Sequence, residues 1–201
     1  MSLGPRAVQL EPQQPKSGWP AGAGILVLER GPEYLNRSLN RRLVTRVEAK
    51  TSRELFEKLV DLVVAHYPKV PRREMVEELI ERESQFPNVL GHGVAVPHAY
   101  SAILSSRICA VAQIPEGIDF NAPDGELVRL AFLVLSPSGD PEGHLQTMAE
   151  IARLVSDPEI RRRLMEDPDP ASVLMAAEEL AAVVTTVESP APSAESAGKN
   201  G

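Results

Sequence analysis

Cysteine is nearly absent from this chain of 201 residues: there is one, Cys109. A lone thiol closes no internal disulfide and builds no cysteine-rich zinc site, so a reducing, cytoplasmic setting is the expectation. Aromatic residues make up only 4%, which leaves core packing to aliphatic side chains. No apolar run approaches the roughly 20 residues of a membrane-spanning helix, and MSLGPRAVQL lacks the apolar stretch of a signal peptide. Positive charge is also short. The formal net charge is −7, which argues against nucleic acid as the main partner, because phosphate backbones need a basic surface. Signature motifs are missing as well: no H-E-x-x-H, no Walker A loop, no G-x-G-x-x-G and no G-x-S-x-G.

What is present fits one globular domain with tails. Hydrophobic residues make up 43% and charged residues 24%, ordinary values for a chain that buries a core. Residues 1–50 carry eight Lys/Arg against four Asp/Glu, and the rest of the chain thirteen against twenty-four. Pro5, Pro12, Pro15 and Pro20 alternate with Gly4, Gly18, Gly22 and Gly24, a composition that holds no regular element, so residues 1–24 read as a flexible tail. Residues 25–42 read as an atypical extension, 43–187 as the domain and 188–201 as a second flexible tail.

Between the two tails, apolar spacing predicts strands at 25–29, 43–49, 93–96, 107–114 and 128–135. Thr51 to Glu54 reads as a capping box opening a helix to about residue 67, with Leu55, Leu59, Val60 and Val63 inward. A second helix runs from Pro71 to about Ser84. Asp157-Pro158 and Asp169-Pro170 punctuate three more, near 142–155, 158–166 and 170–182. The expected fold is α/β, a mixed β-sheet sandwiched by helices.

With the common signatures excluded, the four histidines become the candidates. His98 directly follows the apolar run Val94-Ala-Val-Pro97, so it is expected at a strand end on the sheet rim, where ligands bind in many α/β folds. An imidazole there suits a base, a metal ligand, a phosphoryl acceptor or a plain turn residue. His144 opens an apolar-periodic helix, facing either a neighbouring site or solvent. Arg82 ends an acidic helix, serving either the helix dipole or an i,i+4 ion pair with Glu78. His92 reads as a solvated loop residue, His66 as a helix-end residue and Cys109 as core.

Taken in order, Arg82-Glu83, Gly91-x-Gly-Val-Ala-Val-Pro-His98-Ala99, Ile114-Pro-Glu-Gly-Ile-Asp-Phe120, Ala122-Pro-Asp-Gly-Glu126, His144-Leu-Gln146 and Asp157-Pro-Glu159 resemble the type-2 enzyme IIA domain of the bacterial phosphotransferase system. This is the fructose, mannitol and nitrogen-regulatory group, and the resemblance spans about Leu43 to Leu180. It implies that His98 accepts a phosphoryl group on Nε2, that His144 hydrogen-bonds it and that Arg82 stabilises its charge. It further implies the histidine-containing phosphocarrier protein as donor, a IIB cysteine or a regulatory target as recipient, and no cofactor. Two other readings compete. One is a binding module of the same fold that no longer transfers phosphate. The other is a zinc site of His98 and His144, with His92 as an optional third ligand, whose spacing matches no compact motif.

Overall fold

The computed structural model describes residues 33–172 together with 174 and 175. The strand expected at 25–29, the tails at 1–24 and 188–201, and most of the helix expected at 170–182 lie outside these residues. Residues 170–172, 174 and 175 are helical.

Helix α1 (Glu33–Ser38) leads into strand β1 (Leu39–Arg46), followed by helices α2 (Ser52–His66) and α3 (Arg72–Gln85). Three short strands follow: β2 (Val89–Gly91), β3 (Val94–Ala95) and β4 (His98–Ser101). Two long strands, β5 (Ile108–Ile118) and β6 (Val128–Pro137), and helices α4 (Pro141–Ser156) and α5 (Pro158–Glu166) complete the described chain. The sheet order is β1-β5-β6-β3-β2, with β4 also on β6. β5 and β6 are antiparallel, whereas β1 lies parallel to β5 and both β3 and β4 lie parallel to β6. The sheet is therefore mixed and open.

Alternation along the two long strands builds two cores. Ala110, Ala112, Leu133 and Leu135 face Leu55, Phe56, Leu59 and Leu79 from α2 and α3. Cys109, Val111, Phe132 and Val134 face the opposite layer, with Ile151, Val155 and Leu164 from α4 and α5. Both faces of β5 and β6 are thus covered, and their sequences read as continuous apolar runs.

Local chemistry sets the element ends. Thr51 Oγ1 accepts the Glu54 N–H at 3.2 Å, while the Glu54 carboxylate takes the N–H of Lys50 at 2.8 Å, one residue before the usual capping-box partner. Asp157 Oδ1 accepts the N–H groups of Glu159 at 2.8 Å and Ile160 at 3.0 Å, with Pro158 in the first turn. Asp157→Ala is expected to lower stability by about 1 kcal/mol, measured as a shift in urea midpoint at constant slope. The β2–β3 turn, Gly91-His92-Gly93, has three consecutive positive φ values of 83°, 53° and 72°. A Cβ at Gly93 would also sit 3.1 Å from the Leu127 carbonyl oxygen, so glycine serves there twice over.

Several elements differ from the sequence expectation. Strand β1 begins at Leu39 rather than residue 43 and ends at Arg46, although Val47 and Ala49 are still buried. Helix α1 and strand β2 were not expected. β5 runs four residues past Ile114, because Pro115 sits where the register with β6 shifts and no ladder donor is needed.

The largest difference concerns His98. It does not stand beyond a strand end; it opens β4. Val94 pairs with Leu130 and His98 with Val134, one constant register across the interruption. Pro97 lacks an N–H, yet its carbonyl accepts from Val134 N at 3.0 Å. The proline removes one rung from the ladder and leaves the strand on course.

Candidate functional site

Three elements converge on His98. β4 carries it on the sheet, α3 packs against β4 and brings Arg82 in its last turn, and α4 brings His144 in its first. The α4 start is fixed by Asp140, whose Oδ1 accepts the Gly143 N–H at 3.0 Å. The other oxygen of Asp140 pairs with Arg107. A Cβ at Gly143 would overlap that guanidinium, so a larger residue there would have to shift the Arg107 side chain.

The His98 and His144 rings lie 5.1 Å apart between centroids, tilted by 51°. Tyr100, two residues along β4, places its ring 4.7 Å from His144 on the same side of the strand as His98. His98 is half-buried, and its Nδ1–H donates to the Val96 carbonyl at 3.1 Å. A carbonyl can only accept, so the neutral ring keeps its lone pair on Nε2. Burial lowers the His98 pKa below the ordinary 6.5; the Val96 bond opposes this, the Arg82 charge adds to it, and Glu78 opposes it.

His144 is only 3% exposed. Its Nδ1 shares a hydrogen bond with the Ser136 hydroxyl at 2.9 Å, and Nε2 has no hydrogen-bond partner among the described residues. Burial, then His98, Arg82 and Arg107, push its pKa down to about 4, against a smaller opposing effect of Asp140. Both imidazoles are therefore neutral at neutral pH.

Arg82 makes the i,i+4 ion pair with Glu78 that was one of its expected readings. Its Nε donates to Glu78 Oε1 at 3.0 Å across one helical turn, and its guanidinium lies 5.2 Å over the Tyr100 ring, while its charge acts on both histidines. The same Glu78 oxygen accepts the Tyr100 N–H at 3.1 Å, tying the end of α3 to β4. Glu83, by contrast, turns away and accepts the Asn88 N–H at 3.3 Å.

His98, His144 and Arg82 are thus brought together, as the sequence suggested. His92 is not with them. Its ring groups with Asp124 and Glu126, all exposed, with one ligand atom of each within 4.8 Å of the others; the three-histidine zinc set does not assemble. His66 ends α2, its Nδ1 3.0 Å from the Leu62 carbonyl. It lines a separate hollow of about 290 Å³ with Lys69, Leu104 and Ile108. Tyr100, Ser136, Arg107 and the bridging role of Glu78 escaped sequence reasoning. Tyr100 could have been found by the two-residue strand period from His98, had β4 been foreseen.

Chemically, the site offers one imidazole lone pair, a second imidazole and a guanidinium. That combination suits attack on an anionic electrophile, with the cation offsetting charge on its oxygens.

No helix among the described residues is long and apolar enough to cross a membrane. Over residues 37–179 the sequence matches the family described as "Phosphoenolpyruvate-dependent sugar phosphotransferase system, EIIA 2". It is 33% identical over 116 residues to the PTS system fructose-specific EIIA component of Haloferax volcanii, covering 58% of this chain and 75% of that one. The crystal structure of nitrogen regulatory protein IIA-Ntr from Neisseria meningitidis aligns with a TM-score of 0.65 at 28% identity, over 70% of this chain and 96% of that one. The Escherichia coli complex of enzyme IIAMTL with phosphorylated enzyme IIBMTL shares the fold, with a TM-score of 0.60 at 20% identity, over 70% and 96%.

Proposed function

The chain belongs to the EIIA 2 family of the phosphoenolpyruvate-dependent sugar phosphotransferase system, and from that membership we propose that it is a cytoplasmic phosphocarrier with His98 as the acceptor. The donor is the histidine-containing phosphocarrier protein. The recipient is a cysteine of a IIB partner, the kind of protein that IIAMTL holds in the mannitol complex, or the phosphorylated form itself acts on a regulatory target.

The observation that carries this reading is the bond from His98 Nδ1–H to the Val96 carbonyl, which leaves Nε2 as the nucleophile. The Nε2 lone pair forms a bond to phosphorus as the nitrogen–phosphorus bond of the donor's phosphohistidine breaks. The released electron pair returns to the donor's ring nitrogen. No proton moves: Nδ1 keeps its hydrogen, and the Val96 carbonyl faces the positive charge that the ring now carries. Discharge to a cysteine thiolate reverses these roles, with sulfur attacking phosphorus and the pair returning to His98 Nε2. Such transfers ask little covalent chemistry of the protein, and positioning with charge stabilisation does the rest. Arg82 supplies the cation, and His144 supplies a hydrogen-bond donor to a phosphoryl oxygen.

The test is intact-protein mass after incubation with phosphoenolpyruvate, enzyme I and the carrier protein of the same organism. A gain of about 80 Da, one acid-labile phosphoryl group, is the expected result. No gain with that cognate carrier would overturn the proposal.

A further inference from the structure

The two imidazoles of the site both have Nδ1 engaged, but by partners of different chemistry. His98 faces a carbonyl, which fixes its proton on Nδ1. His144 faces a hydroxyl, Ser136 Oγ at 2.9 Å. A hydroxyl both donates and accepts, so the distance alone does not give the direction.

Burial gives it. Ser136 is 0% exposed, and His144 Nδ1 is the hydrogen-bond partner of its Oγ among the described residues. Were Nδ1 to carry the proton and donate, the serine's own hydrogen would be buried with no acceptor, a state that folds avoid. With the serine donating, its buried hydrogen has an acceptor, and the ring proton of His144 goes to Nε2. The choice matters because His144, held neutral near pH 7, has only one ring proton to place.

We infer that the Ser136 hydroxyl donates to His144 Nδ1 and so makes His144 an Nε2–H donor, leaving the two neighbouring imidazoles in opposite tautomers. One presents a lone pair, the other an N–H. Two lone pairs facing the same phosphoryl group would repel its oxygens; two N–H groups would leave no nucleophile. Ser136 is a positioning residue, acting through His144 from inside β6. Its purpose rests on the phosphocarrier reading given above, whereas the tautomers themselves do not depend on it.

Long-range ¹H–¹⁵N spectra of the full-length, uncharged protein read both tautomers without any phosphoryl donor. The expected result is His144 protonated at Nε2 and His98 at Nδ1. A His144 protonated at Nδ1 would overturn the inference, whatever the charging assay gives. Kinetics supply a second arm. Ser136→Ala is expected to slow charging by the carrier protein about tenfold and to add no further slowing when combined with His144→Ala. Equal slowing in both backgrounds would make Ser136 a packing residue only and would also overturn the inference. Failure of the parent protein to accept phosphate would count against the phosphocarrier reading alone, since the spectra decide the tautomer separately.

Discussion

Full-length protein carrying His98→Gln is expected to gain no phosphoryl group under conditions that charge the parent chain completely. The expectation is total loss rather than slowing, because among the described residues no second nucleophile stands ready at the site. His144 is the nearest alternative, at 5.1 Å between ring centroids. It is 3% exposed, against a half-buried His98, so it is the more shielded of the two rings from a partner protein's phosphohistidine. Its Nδ1 is occupied by Ser136. Glutamine fills the space of the imidazole on β4 but has no lone pair basic enough to attack phosphorus. The main-chain ladder from β4 to β6 does not depend on the side chain, so the variant is expected to fold, and a urea-unfolding free energy within about 1 kcal/mol of the parent's would show it. An acid-labile phosphoryl group on the variant would place the acceptor elsewhere.

Acid is expected to weaken the fold through His144. In the folded chain its pKa lies near 4, against 6.5 when unfolded. Between those values the unfolded chain binds a proton that the folded chain refuses. Stability is therefore fully present above pH 6.5 and falls as the pH drops toward 4. The difference corresponds to about 3 kcal/mol, a large share of the 5–15 kcal/mol typical of a domain. His98, also held below 6.5 by burial, adds to the loss with the same sign. Glu83 acts the other way: burial raises its pKa, so acidification through its range favours the folded state. The isolating measurement is the difference in urea-unfolding free energy between parent and His144→Gln across this window. The parent curve is expected to fall by about 3 kcal/mol more than the variant's. Parallel curves would mean that His144 does not titrate as described.

The sequence made some of this visible and hid the rest for identifiable reasons. Helices α2 to α5 and strands β5 and β6 were legible because each couples a strong apolar pattern to a local start signal or to continuous burial. Apolar spacing predicts strand β1 four residues late, since LNRRLVTR carries Asn-Arg-Arg near its start and its burial is mostly partial, while the apolar run extends past it to Ala49. α1 and β2 are too short for any periodicity to register. β4 was hidden by Pro97, read as a stop although it deletes a single donor. In the site, His98, His144 and Arg82 were found together through a resemblance. Each alone had an ordinary alternative, and the Arg82–Glu78 ion pair was in fact real. Tyr100 follows from the strand period once β4 is known, whereas Ser136 and Arg107 carry no signal in the sequence. Ser136 matters because β6 ends beside the first turn of α4, and Arg107 matters because it meets Asp140 from 33 residues away, relations of register and not of composition.

The buried Cys109 makes the folded chain chemically silent toward thiol reagents, which need an exposed thiolate. A cysteine introduced at a surface position, such as Ile103 at 60% exposure, is then the one sulfhydryl a native preparation offers. A fluorophore or spin label can be attached there without first removing the natural cysteine. The same burial turns Cys109 into an internal clock of unfolding: its modification rate counts the openings of the layer between β5 and α4.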